Sequence, residues 1–158
     1  METNPAETSI PFEIHTAGWR DLMALRRLEE LCFDLDAWPL VDLLGVLTLP
    51  GIVRLKALMG NELVGFVAGY IRPRERLGWI TTIGVEPKYR RMGIANHLLD
   101  LCETGMGQPK VRLCVRKSNV GAIRLYAQRG YRHVSEWKNY YNGGEDALVL
   151  EKSMDAIS

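Results

Sequence analysis

The sequence predicts a single α/β (α+β) domain with a mixed, mostly antiparallel central sheet of about seven strands, flanked by about four helices on both faces. Three observations lead there. Apolar patterns of period two and period 3.6 follow one another in the order βααβββαβαββ. Gly60-Asn61 joins two strand-like runs with the turn chemistry of a hairpin. The 158 residues, 47% hydrophobic and 25% charged, suit one folded domain over 1–158 and are too few for a six-strand dinucleotide fold.

Residues 1–9 read as a frayed leader, and Ile10 to His15 as a first strand. Gly18 to Cys32 is helical, with Leu22, Leu25, Leu28 and Leu31 as the inner face and Arg26, Arg27, Glu29 and Glu30 outside it. The stretch F-D-L-D-A-W-P ends that helix. Its Phe33, Leu35 and Trp38 are apolar groups in a loop, either tucked beneath it or lining a groove. Pro39 suits the first turn of a short helix running through Leu47, and Pro50-Gly51 turns the chain.

Ile52 to Met59 and Glu62 to Arg72 form the hairpin, where Gly65 and Gly69 mark a bulge or the close approach of another backbone. Arg72 to Arg76 is a charged, solvated loop, and Gly78 to Val85 is the next strand. A helix follows from Gly93 to about Thr104, with Ile94, Leu98 and Leu101 as its stripe and Gly105-Met106-Gly107 as its stop. Lys110 to Val115 is a strand. Ser118-Asn119 caps a helix that carries Ile123 and Ala127 on one face beside Tyr126, and Gly130 ends it. Tyr131 to Trp137 and Ala147 to Leu150 are the last strands, separated by a loop from Asn139 to Gly144.

Composition narrows the function. A net charge of +1 argues against a general nucleic-acid binder. No apolar run reaches the roughly 20 residues of a membrane span, and the polar start of the chain lacks the pattern of a secretory signal. Cys32, Cys102 and Cys114 have no C-x-x-C spacing and read as reduced core thiols of a cytoplasmic protein. His15, His97 and His133 are scattered, so no metal site is expected. Nothing in the pattern speaks to the oligomeric state.

The chemistry is concentrated in Ile83 to Ala95, I-G-V-E-P-K-Y-R-R-M-G-I-A. A strand there feeds a helix through a turn holding Lys88, Arg90, Arg91 and Gly93. Free N–H groups and the positive end of a helix dipole meet at that turn, which makes it a site for phosphate or pyrophosphate. Gly93 would let an anion approach the backbone. The stretch is neither a Walker loop nor a G-x-G-x-x-G fingerprint. An ordinary strand-to-helix junction with two solvated arginines is the alternative.

Three motifs then carry a resemblance. R-R-M-G-I-A resembles the R/Q-x-x-G-x-G/A signature of the GNAT superfamily of acetyl-CoA-dependent N-acetyltransferases. S-N-V-G-A-I-R-L-Y-A-Q-R-G-Y resembles a helix of the same superfamily. N-Y-Y-N-G-G-E-D-A-L-V-L resembles a segment of the branch that acetylates protein N-termini, such as the ribosomal-protein-alanine acetyltransferases. They occur in family order across residues 79–152.

The resemblance implies acetyl-CoA as co-substrate and a protein or peptide N-terminus as acceptor, with no metal, nucleic acid or membrane partner. Ile83, Gly84 and Val85 would pair with the pantetheine arm, and Arg90, Arg91, Met92, Gly93, Ile94 and Ala95 would hold the pyrophosphate. Asn119 would approach the pantetheine, or serve as a helix cap, or both. Tyr126 would protonate the leaving thiolate, although a half-buried core tyrosine fits the residue type too. Phe33, Trp38, Tyr140 and Tyr141 would wall the peptide groove, or else simply pack their loops.

One departure stands out. Cys114 occupies a position where many relatives of that branch carry glutamate and some histidine, and Trp79 stands where some use tyrosine. Neither is a good general base. An α-amine with a pKa near 7.7–8.0 is already roughly a tenth neutral at pH 7, whereas a lysine near 10.4 is on the order of 10²–10³ less favourable. The missing base therefore favours an α-amine acceptor. Two alternatives remain: an acetyltransferase for a small-molecule amine or lysine, and a weakly active acyl-CoA-binding module.

Overall fold

The computed structural model describes residues 11–33 and 36–154. Leader residues 1–9, Ile10 and Leu35 lie outside that set, and with them the expectations placed there. The elements in order are β1 (Glu13–Thr16), α1 (Leu22–Phe33), α2 (Leu40–Thr48), β2 (Ile52–Met59), β3 (Glu62–Arg72), β4 (Leu77–Val85), α3 (Ile94–Met106), β5 (Lys110–Arg116), α4 (Val120–Gln128), β6 (Arg132–Trp137) and β7 (Ala147–Ser153).

The seven strands form one sheet in the order β1-β2-β3-β4-β5-β7-β6. Every pairing is antiparallel except β4 with β5. Strand β3 sits among the helices and is buried from Leu63 to Gly69. Phe66 and Ala68 join Leu25, Leu28, Leu43 and Leu47 of α1 and α2 in one cluster. Val67 joins Ile94, Leu98 and Leu99 of α3 and Tyr126 of α4 in another. The helices thus cover both faces. Gly65 and Gly69 are small because α3 lies against them: a Cβ would come within 3.0 Å of Ile94 and 2.6 Å of Met106. A register shift against β4 falls beside Gly69.

Four details differ from the sequence reading. In α1, Leu31 is exposed and Glu29 is buried at 2% exposure. A spacing of three falls short of a full turn by about 60° at each step, so the series from Leu22 has rotated to the far side by Leu31, and Glu29 comes inward. In α3, Leu101 is exposed, while Leu99, Cys102 and Met106 widen the buried stripe on the other side of Leu98. In α4, Ala127 is exposed and Ala122 packs beside Tyr126 instead. Strand β7 runs three residues beyond Leu150, because its register with β5 continues to Ser153 opposite Lys110. The charged loop holds one 3-10 turn at Pro73–Glu75.

Candidate active site

Strands β4 and β5 pair only from Leu77 opposite Lys110 to Ile80 opposite Leu113. There β4 carries a bulge. Ile80 faces Gly69 and Thr82 faces Ala68, so Thr81 is the extra residue, and its hydroxyl donates to the Ala68 carbonyl at 3.1 Å. A bulge bends its strand. Beyond it β4 stays with β3, and β5 stays with β7, so the two part company. The gap between them is a groove of about 790 Å³, lined by Ile80 to Val85 on one side and Leu113 to Arg116 on the other. Among the described residues, the edge of Ile83 to Val85 that faces the gap has no strand partner.

One part of the groove is the turn into α3. Gly93 caps that helix at φ 83 and has no side chain to accept from the first-turn amides. Arg91, two residues earlier, is also left-handed at φ 67. A left-handed residue next to one of ordinary φ turns neighbouring backbone N–H groups toward one point. Gly93, Ile94, Ala95 and Asn96 all line the groove, as do Arg90 and Arg91. Arg90 is anchored by Nε donating to the Val85 carbonyl at 3.2 Å. A Cβ on Gly93 would meet only His97, at 3.8 Å, so the glycine is required first by its backbone conformation. Met92 is exposed and is not among the lining residues.

Helix α4 forms another wall. Asn119 Oδ1 accepts from the Ala122 amide at 3.2 Å, and the same residue lines the groove. Its capping role is observed. Tyr126 also lines the groove and is only 7% exposed, with its ring 5.7 Å from that of Tyr131. Burial pushes its phenol up to about 12, so it is a neutral proton donor at physiological pH.

Phe33 at the end of α1, Trp38 in the connection that follows it and Tyr141 in the loop between β6 and β7 meet at the groove. Tyr140 does not line it. That ring is exposed and bridges Trp137, at 5.3 Å, to Tyr141, at 5.0 Å, so it buttresses the wall from outside. Trp79 is covered by Trp137 at 5.8 Å and is likewise absent from the lining. Cys114 does line the groove, and burial pushes its thiol up to about 11. A thiol that stays protonated is no base at neutral pH.

The sequence reading passed over several lining residues. Cys32 lies against the β4 backbone, its thiol donating to the Val85 carbonyl at 3.4 Å, so it and Cys114 are half-buried groove residues rather than core thiols. Thr82 lines the groove and donates its hydroxyl to Glu29 Oε1 at 2.9 Å. Burial raises the Glu29 carboxyl pKa, opposed by that hydrogen bond and by the Trp38 backbone, and among the described residues Oε2 has no partner within strict hydrogen-bond geometry. Asp36, Tyr89, Arg116 and Leu125 are further omissions. Arg116 was the one with a nearby signal, since it closes the L-C-V-R strand that carries Cys114.

Residues 19–131 match the model of the Acetyltransferase (GNAT) family, and the chain belongs to that family. It is 31% identical over 112 residues to N-alpha-acetyltransferase 20 of Dictyostelium discoideum, covering 66% of this chain and 64% of that one. The chain thus spans just under two thirds of that relative's length. It is 26% identical over 168 aligned positions to an N-alpha-acetyltransferase of Saccharolobus solfataricus, covering 98% of this chain and 100% of the other. The crystal structure of the ribosomal-protein-S18-alanine N-acetyltransferase from Escherichia coli superposes with a TM-score of 0.81 at 22% identity, over 93% of this chain and 97% of that one, a likeness of fold.

Among the described residues, no group of His, Cys, Asp and Glu could hold a metal ion, and no helix is long and apolar enough to cross a membrane.

Proposed function

We propose that this chain transfers the acetyl group of acetyl-CoA to the N-terminal α-amine of a protein or peptide, in the cytoplasm and as a single domain. The observation that carries the proposal is the shared groove. A free strand edge, an amide-rich basic turn and a neutral buried phenol all line the same 790 Å³ space as the aromatic residues of two loops. The relatives named N-alpha-acetyltransferase support the same acceptor class.

The thioester of acetyl-CoA supplies the activated acyl group. The residues fit that co-substrate. The edge of Ile83, Gly84 and Val85 offers backbone groups to an amide-bearing arm, as an added strand would, with the Val85 carbonyl already taken by Cys32 and Arg90. The amides of Gly93 to Ala95, with Arg90 and Arg91, suit a pyrophosphate. Tyr126 holds the proton that the departing thiolate needs, and its burial keeps it there. Phe33, Trp38 and Tyr141 flank the incoming peptide end, with Tyr140 behind them.

An α-amine fits better than lysine. Cys114, raised to about 11, cannot take the ammonium proton at neutral pH, so the acceptor must arrive partly neutral by its own chemistry. The proton leaves through water past Tyr141. The test is a library of peptides with free N-termini, incubated with acetyl-CoA and read by release of free thiol. Turnover across many peptides is expected. Turnover of small amines alone, or acetyl-CoA binding without any transfer, would contradict the proposal.

A further inference from the structure

Two walls of the groove are held together by one guanidinium. Arg116 ends β5 and lines the groove. Its Nε donates to Asp36 Oδ2 at 2.7 Å, and its Nη2 donates to the same oxygen. Nη1 donates to Glu145 Oε2 at 2.7 Å, and Nη2 also reaches the Asn142 carbonyl at 3.5 Å. The Tyr141 ring lies against the same group, its centroid 4.5 Å from Cζ. Glu145 is oriented in turn by the Ser118 amide, which donates to Oε1 at 2.8 Å. Asp36 belongs to the connection between α1 and α2, while Tyr141, Asn142 and Glu145 belong to the loop between β6 and β7. A single side chain therefore sets the distance between the two loops that supply the aromatic walls.

The same cluster has a charge surplus. Among the described residues, two carboxylates share this one cation, which leaves one negative charge uncompensated within that set. The neighbouring surface group does not offset it, because Lys117 and Lys138 are matched there by Glu136 and Asp146. Asp36 is also the one carboxylate among the described lining residues, whose other charges are Arg90, Arg91 and Arg116. The cluster is partly shielded, with side chains 23–28% exposed, so its field acts over short range with incomplete screening.

Building on the N-terminal acetylation reading, we propose that Arg116 is a positioning residue that fixes the acceptor mouth. We propose further that the surplus carboxylate makes this mouth select acceptors by charge. Peptides with uncharged leading side chains are accepted, and acidic ones are turned away. An ammonium terminus is attracted by the charge that repels an acidic side chain.

The test uses the full chain, acetyl-CoA and two peptides that differ only in carrying Asn or Asp at the second residue. The Asn peptide should be favoured in kcat/KM by about five- to tenfold at low salt, and the ratio should shrink as salt rises. Asp36→Asn and Glu145→Gln remove the surplus from opposite walls, and each should bring the ratio toward one. Arg116→Met should raise the peptide KM far more than it lowers kcat, with acetyl-CoA affinity unchanged, and Arg116→Lys should recover only part of that loss, since lysine lacks the fork that spans two carboxylates. Equal use of the two peptides by the unaltered protein, or a preference for Asp, overturns the inference while leaving N-terminal acetylation standing. If a folded, acetyl-CoA-binding protein acetylates no peptide at all, the N-terminal reading itself fails and this inference goes with it.

Discussion

The groove is built in two different ways. Its turn side is contiguous: Ile83 to Ala95 run through strand, 3-10 turn and helix start, and most of what they offer is backbone. Its acceptor side is assembled from Phe33, Asp36, Trp38, Cys114, Arg116 and Tyr141, and its order rests on side chains, with Asp36 and Arg116 80 positions apart. A backbone site needs a local pattern, such as a glycine at positive φ opening a helix. A side-chain site needs partners that only the fold brings together. The two sides should therefore fail differently when altered.

On the backbone side, the effect should be a complete loss of co-substrate binding. Acetyl-CoA at 100 times its Kd should stabilise the unaltered chain by about 2.7 kcal/mol, on the order of 5–10 °C in Tm. Gly93→Asp should abolish that shift, because φ 83 strains any L side chain and a carboxylate would face the anion. Thermal melts with and without acetyl-CoA read this directly. A full shift in the variant would mean that the pyrophosphate binds elsewhere.

Tyr126→Phe should lower kcat by about 10²–10⁴ and leave acetyl-CoA affinity nearly intact, since the hydroxyl matters only as the thiolate departs. Normal turnover would reduce Tyr126 to a packing residue against Tyr131.

Cys114→Ala should change kcat/KM only slightly. With Cys114 at about 11 and Tyr126 at about 12, neither group titrates between about pH 6 and 9. When chemistry limits the rate, kcat/KM should rise with pH to the α-amine range near 7.7–8.0 and then level. Cys114→Glu should flatten that profile toward lower pH. A collapse of activity in Cys114→Ala, with fold and acetyl-CoA binding intact, would make the thiol the base after all.

The smallest effect concerns stability. Glu29 is buried, and burial raises its carboxyl pKa in the folded state against the opposing hydrogen bonds of Thr82 and the Trp38 backbone. A raised carboxyl penalises the folded state above the unfolded pKa and costs nothing below it. Glu29→Gln keeps a partner for the Thr82 hydroxyl and removes the charge. It should raise Tm at pH 7 by about 2–4 °C for each ~1 kcal/mol recovered, and the gain should vanish below about pH 4. An equal gain at both pH values would trace it to packing instead.

The sequence revealed these features unequally, for physical reasons. The order of elements along the chain and the helix number followed from periodicity, and the turn at Gly93 from its glycine and arginines. Glu29 was misplaced because four leucines at a spacing of three mimic a helix face that has already rotated away by Leu31. Tyr140 and Tyr141 look alike in sequence, yet one lines the groove and the other props it through Trp137, a choice made by packing between strands. The tie from Arg116 to Asp36 and Glu145 has no local signature.

The central claim is that the groove presents acetyl-CoA to an N-terminus. It is tested most directly by one peptide carrying both a free α-amine and an internal lysine. After reaction with acetyl-CoA, fragment masses locate the acetyl group. The account predicts acetylation of the α-amine, with the lysine untouched at the same conversion, as the ~10²–10³ difference in neutral amine at pH 7 requires. Acetyl found chiefly on the lysine would contradict it.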